Sequence, residues 1–237
     1  KPDKVAEFFR RSGADALAAA YGTSHGPNKG KTDALSLAVV DESYAAMVSA
    51  GLNMDHFLVS HGSSSVPPEF VAVINQYGGD LKGTSGVPEY MAVRAVQLGM
   101  RKVNIDTDLR LAMTGQVRKW LHENPDAHNS SELVDMIQGT LDGSIQAFDK
   151  EGAVVPASGI TDPRSWLKPI AEAEPKVLRN NYEDTGDEAF IEVMRLVEDT
   201  VAKHVAHLNK VFGAAGLAER VDTSLTLEAM AAKYKGN

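Results

Sequence analysis

Apolar residues follow two different patterns along the first half of the chain. Around Phe8 and Phe9 they follow the i, i+3, i+4 spacing of an amphipathic helix, whereas residues 15–21 form an unbroken small apolar run typical of a buried parallel strand. The alternation predicts strands over residues 15–21, 57–60 and 101–105, and helices over residues 3–12, 41–50, 67–78, 88–99 and 108–122. Strands that alternate with helices in this way predict an α/β fold with a parallel sheet or barrel.

The pattern changes after residue 123. Helical periodicity continues over residues 131–149, 166–179 and 189–212, residues 152–159 are typical of a loop, and no further strand of comparable quality is predicted. Three strands cannot close a parallel eight-stranded barrel, which takes about 250 residues shared among its units. We therefore expect residues 1–123 to form the second half of a barrel. Residues 124–237 would form a mostly helical extension that packs on the barrel or on a neighbouring subunit.

Composition narrows the partners and cofactors of such a fold. The net charge is −8, from 24 basic and 32 acidic residues, and basic residues do not cluster, which argues against a nucleic-acid partner. No apolar run approaches the roughly 20 residues of a membrane span, so we expect no membrane partner. Cysteine is absent, so a metal would be held by histidine, carboxylates or carbonyl oxygens, a ligand set that suits zinc or a similar divalent ion.

Three short polar motifs follow the predicted strands. They are Gly-Thr-Ser-His-Gly at 22–26, Ser-His-Gly-Ser-Ser-Ser at 60–65 and Lys-Val-Asn-Ile-Asp-Thr-Asp at 102–108. Ligands of α/β proteins bind at the carboxyl ends of parallel strands, so the three motifs predict one site. His25 and His61 can point into one pocket and share a metal ion. The alternative is two hydrogen-bonded loop histidines without a metal.

The same motifs are suited to bind a phosphate group. Backbone amides of Gly26, Gly62 and Ser64 can cradle it together with the Thr107 hydroxyl at a helix N-terminus, where free N–H groups and the helix dipole favour anions. Lys29 would add a positive charge. The alternative is that the glycines and serines form turns and that the Thr107 hydroxyl caps the helix.

Farther along the chain, Arg164 follows Pro163 at a predicted helix start. A guanidinium group in this position is suited to bind phosphate through two parallel hydrogen bonds.

Together, the three motifs resemble those of class II, metal-dependent fructose-bisphosphate aldolases. The resemblance covers residues 1–121 and 162–169, and its best blocks are residues 22–26, 61–67 and 99–110. It implies a TIM (β/α)8 barrel, of which this chain supplies the later strands and C-terminal helices. The family's first metal histidine, its proton-moving aspartate and a catalytic glutamate have no counterpart in the chain, so we expect residues 1–237 alone to be inactive.

The resemblance implies a lyase that cleaves fructose 1,6-bisphosphate to dihydroxyacetone phosphate and glyceraldehyde 3-phosphate, a reaction of glycolysis, gluconeogenesis and the Calvin cycle. In this family Zn²⁺, or another divalent ion, polarises the ketone and stabilises the enediolate. Alternatives are an aldolase for tagatose or sedoheptulose bisphosphate, and a phosphate-binding fragment without catalysis. A cytoplasmic homodimer or homotetramer is implied as well.

The resemblance also assigns roles to individual residues. His25 and His61 match two of three metal-binding histidines, and Asn104 matches the residue that hydrogen-bonds the reacting end of the substrate. Arg164 matches the arginine that reaches the distal phosphate. The positions around the triose phosphate are Gly26, Lys29, Gly62, Ser64, Asp106 and Thr107. Some carbonyl groups of these loops resemble ligands of a monovalent cation.

Overall fold

A computed structural model describes residues 1–25, 34–149 and 151–220, together with Glu228. The chain divides into two units, Lys1–Val201 and Ala202–Asn237. The first unit contains every strand described below and the candidate site.

A three-stranded parallel sheet forms the centre of the first unit. Its strands are β1 (Ala16–Ala18), β2 (Phe57–Ser60) and β3 (Met100–Val103), in the order β1-β2-β3. The three predicted parallel strands are thus confirmed, although β1 is much shorter than residues 15–21. Its alanine-rich sequence has weak strand propensity, and Tyr21 beyond it turns into the interior, where it is buried. Because the strands are parallel, their carboxyl ends meet at one edge of the sheet.

Five helices accompany these strands along the chain. They are α1 (Val5–Ser12), α2 (Leu37–Ser49), α3 (Pro68–Gln76), α4 (Glu89–Gln97) and α5 (Thr107–Glu123). The predicted start of α2 at residue 41 is wrong, because the continuous apolar run at residues 37–40 hides the helical period. Phe9, Val40 and Met47 of these helices are buried together with Leu58 and Met100 of the sheet.

The second half of the chain contains α6 (Glu132–Asp142), α7 (Pro163–Ala173), α8 (Glu188–Val211) and a small antiparallel hairpin of β4 (Ala147–Phe148) and β5 (Val154–Val155). The predicted helix over residues 131–149 is wrong beyond Asp142, because Gly143 ends it in the left-handed conformation. The predicted loop over residues 152–159 contains β5. The helix predicted over residues 166–179 corresponds to α7, but the prediction is wrong beyond Ala173, where α7 ends. The helix predicted over residues 189–212 is confirmed as α8.

The second hydrophobic core joins α5 to the helices that follow it. Val117 and Trp120 of α5 are buried in one cluster with Ile137, Trp166 and Phe190. Residues on both sides of the predicted boundary at 123 therefore share a core, and the proposed division into barrel and extension stays a prediction. Within the described part of the chain, no helix combines the length and the apolar character that crossing a membrane requires.

Candidate functional site

A cavity of about 430 Å³ lies where the three parallel strands end. It is lined by His25, His61, Gly62, Ser64, Asn104, Asp106, Thr107, Arg110, Thr161 and Asp162. The structure therefore brings together seven of the residues that the sequence singles out. Gly26 and Lys29 lie outside the described residues, and Arg164 is not among the lining residues.

The two histidines lie on neighbouring loops and approach each other across this cavity. His25 follows β1, and His61 directly follows the last residue of β2. Their ring centroids are 6.2 Å apart, and the ring planes are tilted by 55°. The Asn104 Nδ2 atom lies 3.0 Å from Nδ1 and 3.2 Å from Nε2 of His61, so this amide faces the same imidazole.

The separation of the imidazoles is slightly wider than that of two histidines that share one divalent ion. A zinc–imidazole bond measures about 2.0–2.1 Å, so two rings on one tetrahedral ion have centres about 5 Å apart. His25 and His61 would have to come roughly 1 Å closer to share such an ion. Across residues 1–25, 34–149 and 151–220, no three histidine, aspartate or glutamate side chains gather into a metal-binding group. The two histidines would supply only part of a metal site, and its remaining ligands would have to come from outside these residues.

Glycine at two positions allows these loops to approach closely. Gly62 has φ +64°, and a Cβ atom there would lie 2.5 Å from the Ser24 carbonyl oxygen. Gly22 has φ +102°, and a Cβ atom there would lie 1.9 Å from the Ala34 carbonyl oxygen. Any other residue would push the backbone segments apart. Gly62 therefore allows the two histidine loops to meet, whereas Gly22 allows the chain before His25 to approach Ala34.

The Ser64 side chain caps α5 from a different loop. Its Oγ accepts hydrogen bonds from the backbone amides of Asp106, at 3.1 Å, and Thr107, at 3.0 Å. These amides are at the positive end of the helix, where an anion is also favoured. The residue that caps the helix is thus Ser64 rather than Thr107. A phosphate in the cavity would bind beside this hydroxyl or take its place as the acceptor of these two amide hydrogen bonds.

Asp108 fixes the loop that carries Ser64. The Asp108 side chain is fully buried and accepts hydrogen bonds from the Ser65 amide at 2.9 Å, the Ser65 hydroxyl at 3.1 Å and the Val66 amide at 2.8 Å. Val66 has φ +52°, a conformation that β-branched residues rarely adopt. The buried carboxylate therefore holds the loop in a shape that its own sequence does not favour.

Buried hydroxyl groups link the first two strands beneath the cavity. The Tyr21 and Ser60 hydroxyls are hydrogen-bonded at 2.7 Å, and the Ser60 hydroxyl also contacts that of Ser63. All three residues are buried. Satisfied hydroxyl networks of this kind rigidify the backbone around them, so they support the loop that carries His61.

Two arginines and two aspartates form a charged network at the rim. Arg110 donates to both oxygens of Asp106, at 2.7 and 2.5 Å, and its Nη1 donates to Asp162 at 2.5 Å. Arg164 also binds Asp162, at 2.5–3.1 Å, but its side chain is 76% exposed. Burial alone would raise the pKa of Asp162, but hydrogen bonds from Arg164 and the charge of Arg110 outweigh burial and lower the pKa. The pKa of Arg164 is raised in turn by its hydrogen bonds to Asp162.

This network predicts an acid-sensitive contribution to stability. Because the pKa of Asp162 is lower in the folded protein, the unfolded chain takes up the proton first as the pH falls. The stabilisation is complete above the unfolded pKa of about 3.9 and disappears as the pH falls through the folded value. We expect Asp162→Asn to cost about 1 kcal/mol at pH 7, since its partners are partly exposed. In urea unfolding the difference from wild type should shrink at pH 3, and an equal or larger difference there would contradict this assignment.

Sequence reasoning missed three residues of the cavity: Arg110, Thr161 and Asp162. Arg110 follows Thr107 by three positions on α5, which places both on one helix face, so the spacing could have identified it. Asp162 precedes Pro163, a typical helix start, and its side chain caps α7 by accepting from the Arg164 amide at 3.0 Å. Nothing in the sequence shows that this start meets α5.

Comparison with known proteins identifies the family to which the chain belongs. Residues 1–216 match the family described as fructose-bisphosphate aldolase class-II. The chain therefore belongs to the class II fructose-bisphosphate aldolase family, which confirms the resemblance of the three motifs.

Individual relatives agree. The chain is 41% identical over 159 residues to the fructose-bisphosphate aldolase of Pseudomonas aeruginosa, a match that covers 64% of this chain and 43% of the relative. Fructose-bisphosphate aldolase 2 of Cereibacter sphaeroides is 33% identical over 210 residues, which is 86% of this chain and 48% of that protein. The aldolase of Xanthobacter flavus is 35% identical over 207 residues, again 86% and 48%. The chain thus spans about half the length of these relatives or less.

Proposed function

We propose that the protein cleaves fructose 1,6-bisphosphate to dihydroxyacetone phosphate and glyceraldehyde 3-phosphate with the help of Zn²⁺ or another divalent ion. The observation that carries the proposal is the juxtaposition of His25, His61 and Asn104 with the N-terminus of α5 in a chain of this family. The three parallel strands would belong to an eight-stranded TIM barrel. The cytoplasmic location and the homodimeric or homotetrameric state stay predictions.

His25 and His61 would hold the metal ion. When bound, such an ion acts as a Lewis acid that polarises the ketone oxygen of the substrate. The close approach of Gly62 to Ser24 holds the two histidine loops beside each other, and Asn104 lies beside His61. The Asn104 amide is therefore placed to donate a hydrogen bond to an oxygen at the reacting end of the substrate.

The N-terminus of α5 would hold the triose phosphate. Ser64 and Thr107 line the cavity at the positive end of this helix, where the Ser64 hydroxyl accepts from the Asp106 and Thr107 amides. Arg110 also lines this end of the cavity, where Asp106 and Asp162 offset its charge. Gly26 and Lys29 would complete this phosphate site, and the carbonyl groups of the loops would serve a monovalent cation.

The cleavage also requires a group that moves a proton. The carboxylates of the described cavity, Asp106 and Asp162, are both bound by Arg110, so we assign them to holding that arginine. This arrangement favours a proton carrier from outside the described residues.

An assay of the full-length protein tests the proposal. Purified protein should release triose phosphate from fructose 1,6-bisphosphate, lose the activity on treatment with a chelator and regain it with zinc or cobalt. Tagatose 1,6-bisphosphate and sedoheptulose 1,7-bisphosphate, tested in parallel, would reveal a different preferred substrate. Activity that survives chelation, or a substrate imine trapped on lysine by borohydride, would overturn the proposed chemistry.

Arg164 provides a separate prediction about the second phosphate. Arg164 lies just outside the cavity and is held by Asp162, which lines it. If Arg164 binds the distal phosphate, Arg164→Ala should lower kcat/KM for the bisphosphate by roughly 10- to 200-fold, the equivalent of a charge-assisted contact of about 1.5–3 kcal/mol. Proton exchange on dihydroxyacetone phosphate, which lacks that phosphate, should be nearly unchanged. Equal losses in both assays would show instead that Arg164 maintains the fold.

A further inference from the structure

A second cavity, of about 600 Å³, lies beside the C-terminal half of α5. It is lined by Tyr77, Gly78, Arg118, Leu121, His122, Gln138, Leu141, Asp142, Ala157 and Ser158. None of these residues lines the cavity that contains the histidine pair. The volume is within the range of about 300–1,000 Å³ that is usual for small-molecule sites.

Arg118 is the charged centre of this second cavity. Its residue is only 4% exposed, and the guanidinium donates to the carbonyl oxygens of Leu141, at 3.2 Å, and Ala157, at 2.5 Å. Nε is buried without a hydrogen-bond partner. A guanidinium has five N–H groups, so these two carbonyl groups satisfy only part of its hydrogen-bonding capacity.

The charge of Arg118 has no anionic partner in the described structure. Within residues 1–25, 34–149 and 151–220, no carboxylate oxygen comes within 4.0 Å of it. Burial lowers the pKa of Arg118, yet arginine remains protonated in proteins. A buried cation that is matched only by neutral carbonyl groups is costly. The position therefore favours an external anion over a purely structural role, which an uncharged side chain would fill at lower cost.

The walls of the second cavity supply further contacts for such an anion. Gln138 lines the cavity, and its amide nitrogen can donate hydrogen bonds to an anion. The Tyr77 and His122 rings form an aromatic pair with centroids 5.2 Å apart. Asp142 is the acidic lining residue, and its Oδ1 accepts from the Ser144 amide at 2.8 Å and hydroxyl at 2.6 Å. Among the described lining residues, the one carboxylate is thus hydrogen-bonded to Ser144.

Gly78 lies beside the guanidinium. A Cβ atom at Gly78 would lie 3.6 Å from Nη1 of Arg118, an ordinary van der Waals distance, and the φ of +93° itself favours glycine here. The aromatic pair, the amide and the glycine thus line the same cavity as the buried cation.

We propose that this second cavity is a binding site for a small organic anion whose phosphate or carboxylate group pairs with Arg118. The Gln138 amide would hydrogen-bond the same ligand, and the Tyr77–His122 wall would contact its carbon skeleton. The cavity and the substrate cavity lie at different ends of α5, so both can be filled at once.

Inorganic phosphate is the probe that tests this site. Full-length wild type and Arg118→Met are titrated with phosphate by equilibrium dialysis, and the equivalents bound are compared, since the substrate cavity is the same in both proteins. The matched control is Arg195→Met, since Arg195 is an exposed arginine paired with Glu183. Wild type and control should bind one equivalent of phosphate that Arg118→Met does not bind. Equal binding by wild type and Arg118→Met, or no phosphate bound by wild type, would overturn the proposal.

Thermal melts separate ligand binding from a structural role of Arg118. In phosphate-free buffer Arg118→Met should melt at the wild-type temperature or above it, whereas phosphate, compared with chloride at equal ionic strength, should raise the melting temperature of wild type more than that of the variant. Equal destabilisation of the variant at every phosphate concentration would indicate that Arg118 only maintains the fold. If Arg118→Met does not fold, phosphate binding by Gln138→Met tests the site instead. This variant retains the arginine and should weaken phosphate binding about tenfold, and unchanged affinity would contradict the site.

Discussion

His61→Ala should abolish metal binding and turnover together in the full-length protein. His61 lies at the end of β2, its ring centre is 6.2 Å from that of His25, and Asn104 is next to it. A catalytic zinc ion is usually held by three protein ligands, so the loss of one removes a third of the ligand set. Changes to residues that merely support metal ligands already cost about 10–100-fold, and the loss of a ligand should exceed that. Zinc content by elemental analysis and the rate of bisphosphate cleavage are the two measurements.

His207→Ala is the matched control for this experiment, because it removes an exposed imidazole from α8. It should retain the zinc content and turnover of wild type. If His61→Ala retained one equivalent of zinc with normal turnover, His61 would not be a metal ligand. If it retained zinc but lost turnover, its role would be restricted to orienting the substrate with Asn104.

Asp108→Ala should be among the most destabilising substitutions in the molecule. The fully buried carboxylate accepts three hydrogen bonds, two of them from the backbone amides of Ser65 and Val66. Hydrogen bonds to charged groups contribute about 1.5–3 kcal/mol each, and unpaired buried donors carry a further cost, so we expect a loss of at least about 3 kcal/mol in the free energy of unfolding. The Ser64 loop would lose its anchor, so phosphate affinity should fall as well. Urea unfolding and phosphate titration measure the two effects.

Two further variants show whether the loss comes from the buried hydrogen-bond acceptors. They are Asp108→Asn and the control Asp41→Ala. Asparagine has nearly the same shape, but it turns an amide donor toward donors, so Asp108→Asn should also destabilise strongly. Asp41 is exposed on α2, and its removal should change stability by less than about 0.5 kcal/mol. A stability of Asp108→Ala within that margin of wild type would show that the buried hydrogen bonds do not determine the shape of the loop.

The sequence was sufficient to predict the three strand ends and the residues that meet there. Parallel strands have their carboxyl ends at one edge, so His25, His61 and Asn104 could be placed in one cavity from chain order alone. Gly62 was singled out for its backbone amide, and the structure shows in addition that a Cβ atom there would clash with the Ser24 carbonyl.

Long-range partners could not be predicted in the same way. The cap of α5 comes from Ser64, 42 residues before Asp106 along the chain, and the partner of Arg110 on α7 is 52 residues away. Such pairs depend on how helices pack, which local periodicity does not determine. The β4–β5 hairpin was missed because strands of two residues are too short to show an alternating pattern. Arg118 was missed because charged residues are expected at the surface.

Anomalous diffraction at the zinc edge, from crystals of the full-length protein grown with zinc, tests the central claim most directly. The proposal predicts one strong peak between the His25 and His61 imidazoles, within about 2.0–2.1 Å of a nitrogen of each ring, the usual zinc–imidazole distance. A fully occupied peak elsewhere, with no peak between these two rings, would contradict the assignment of this cavity as the metal centre.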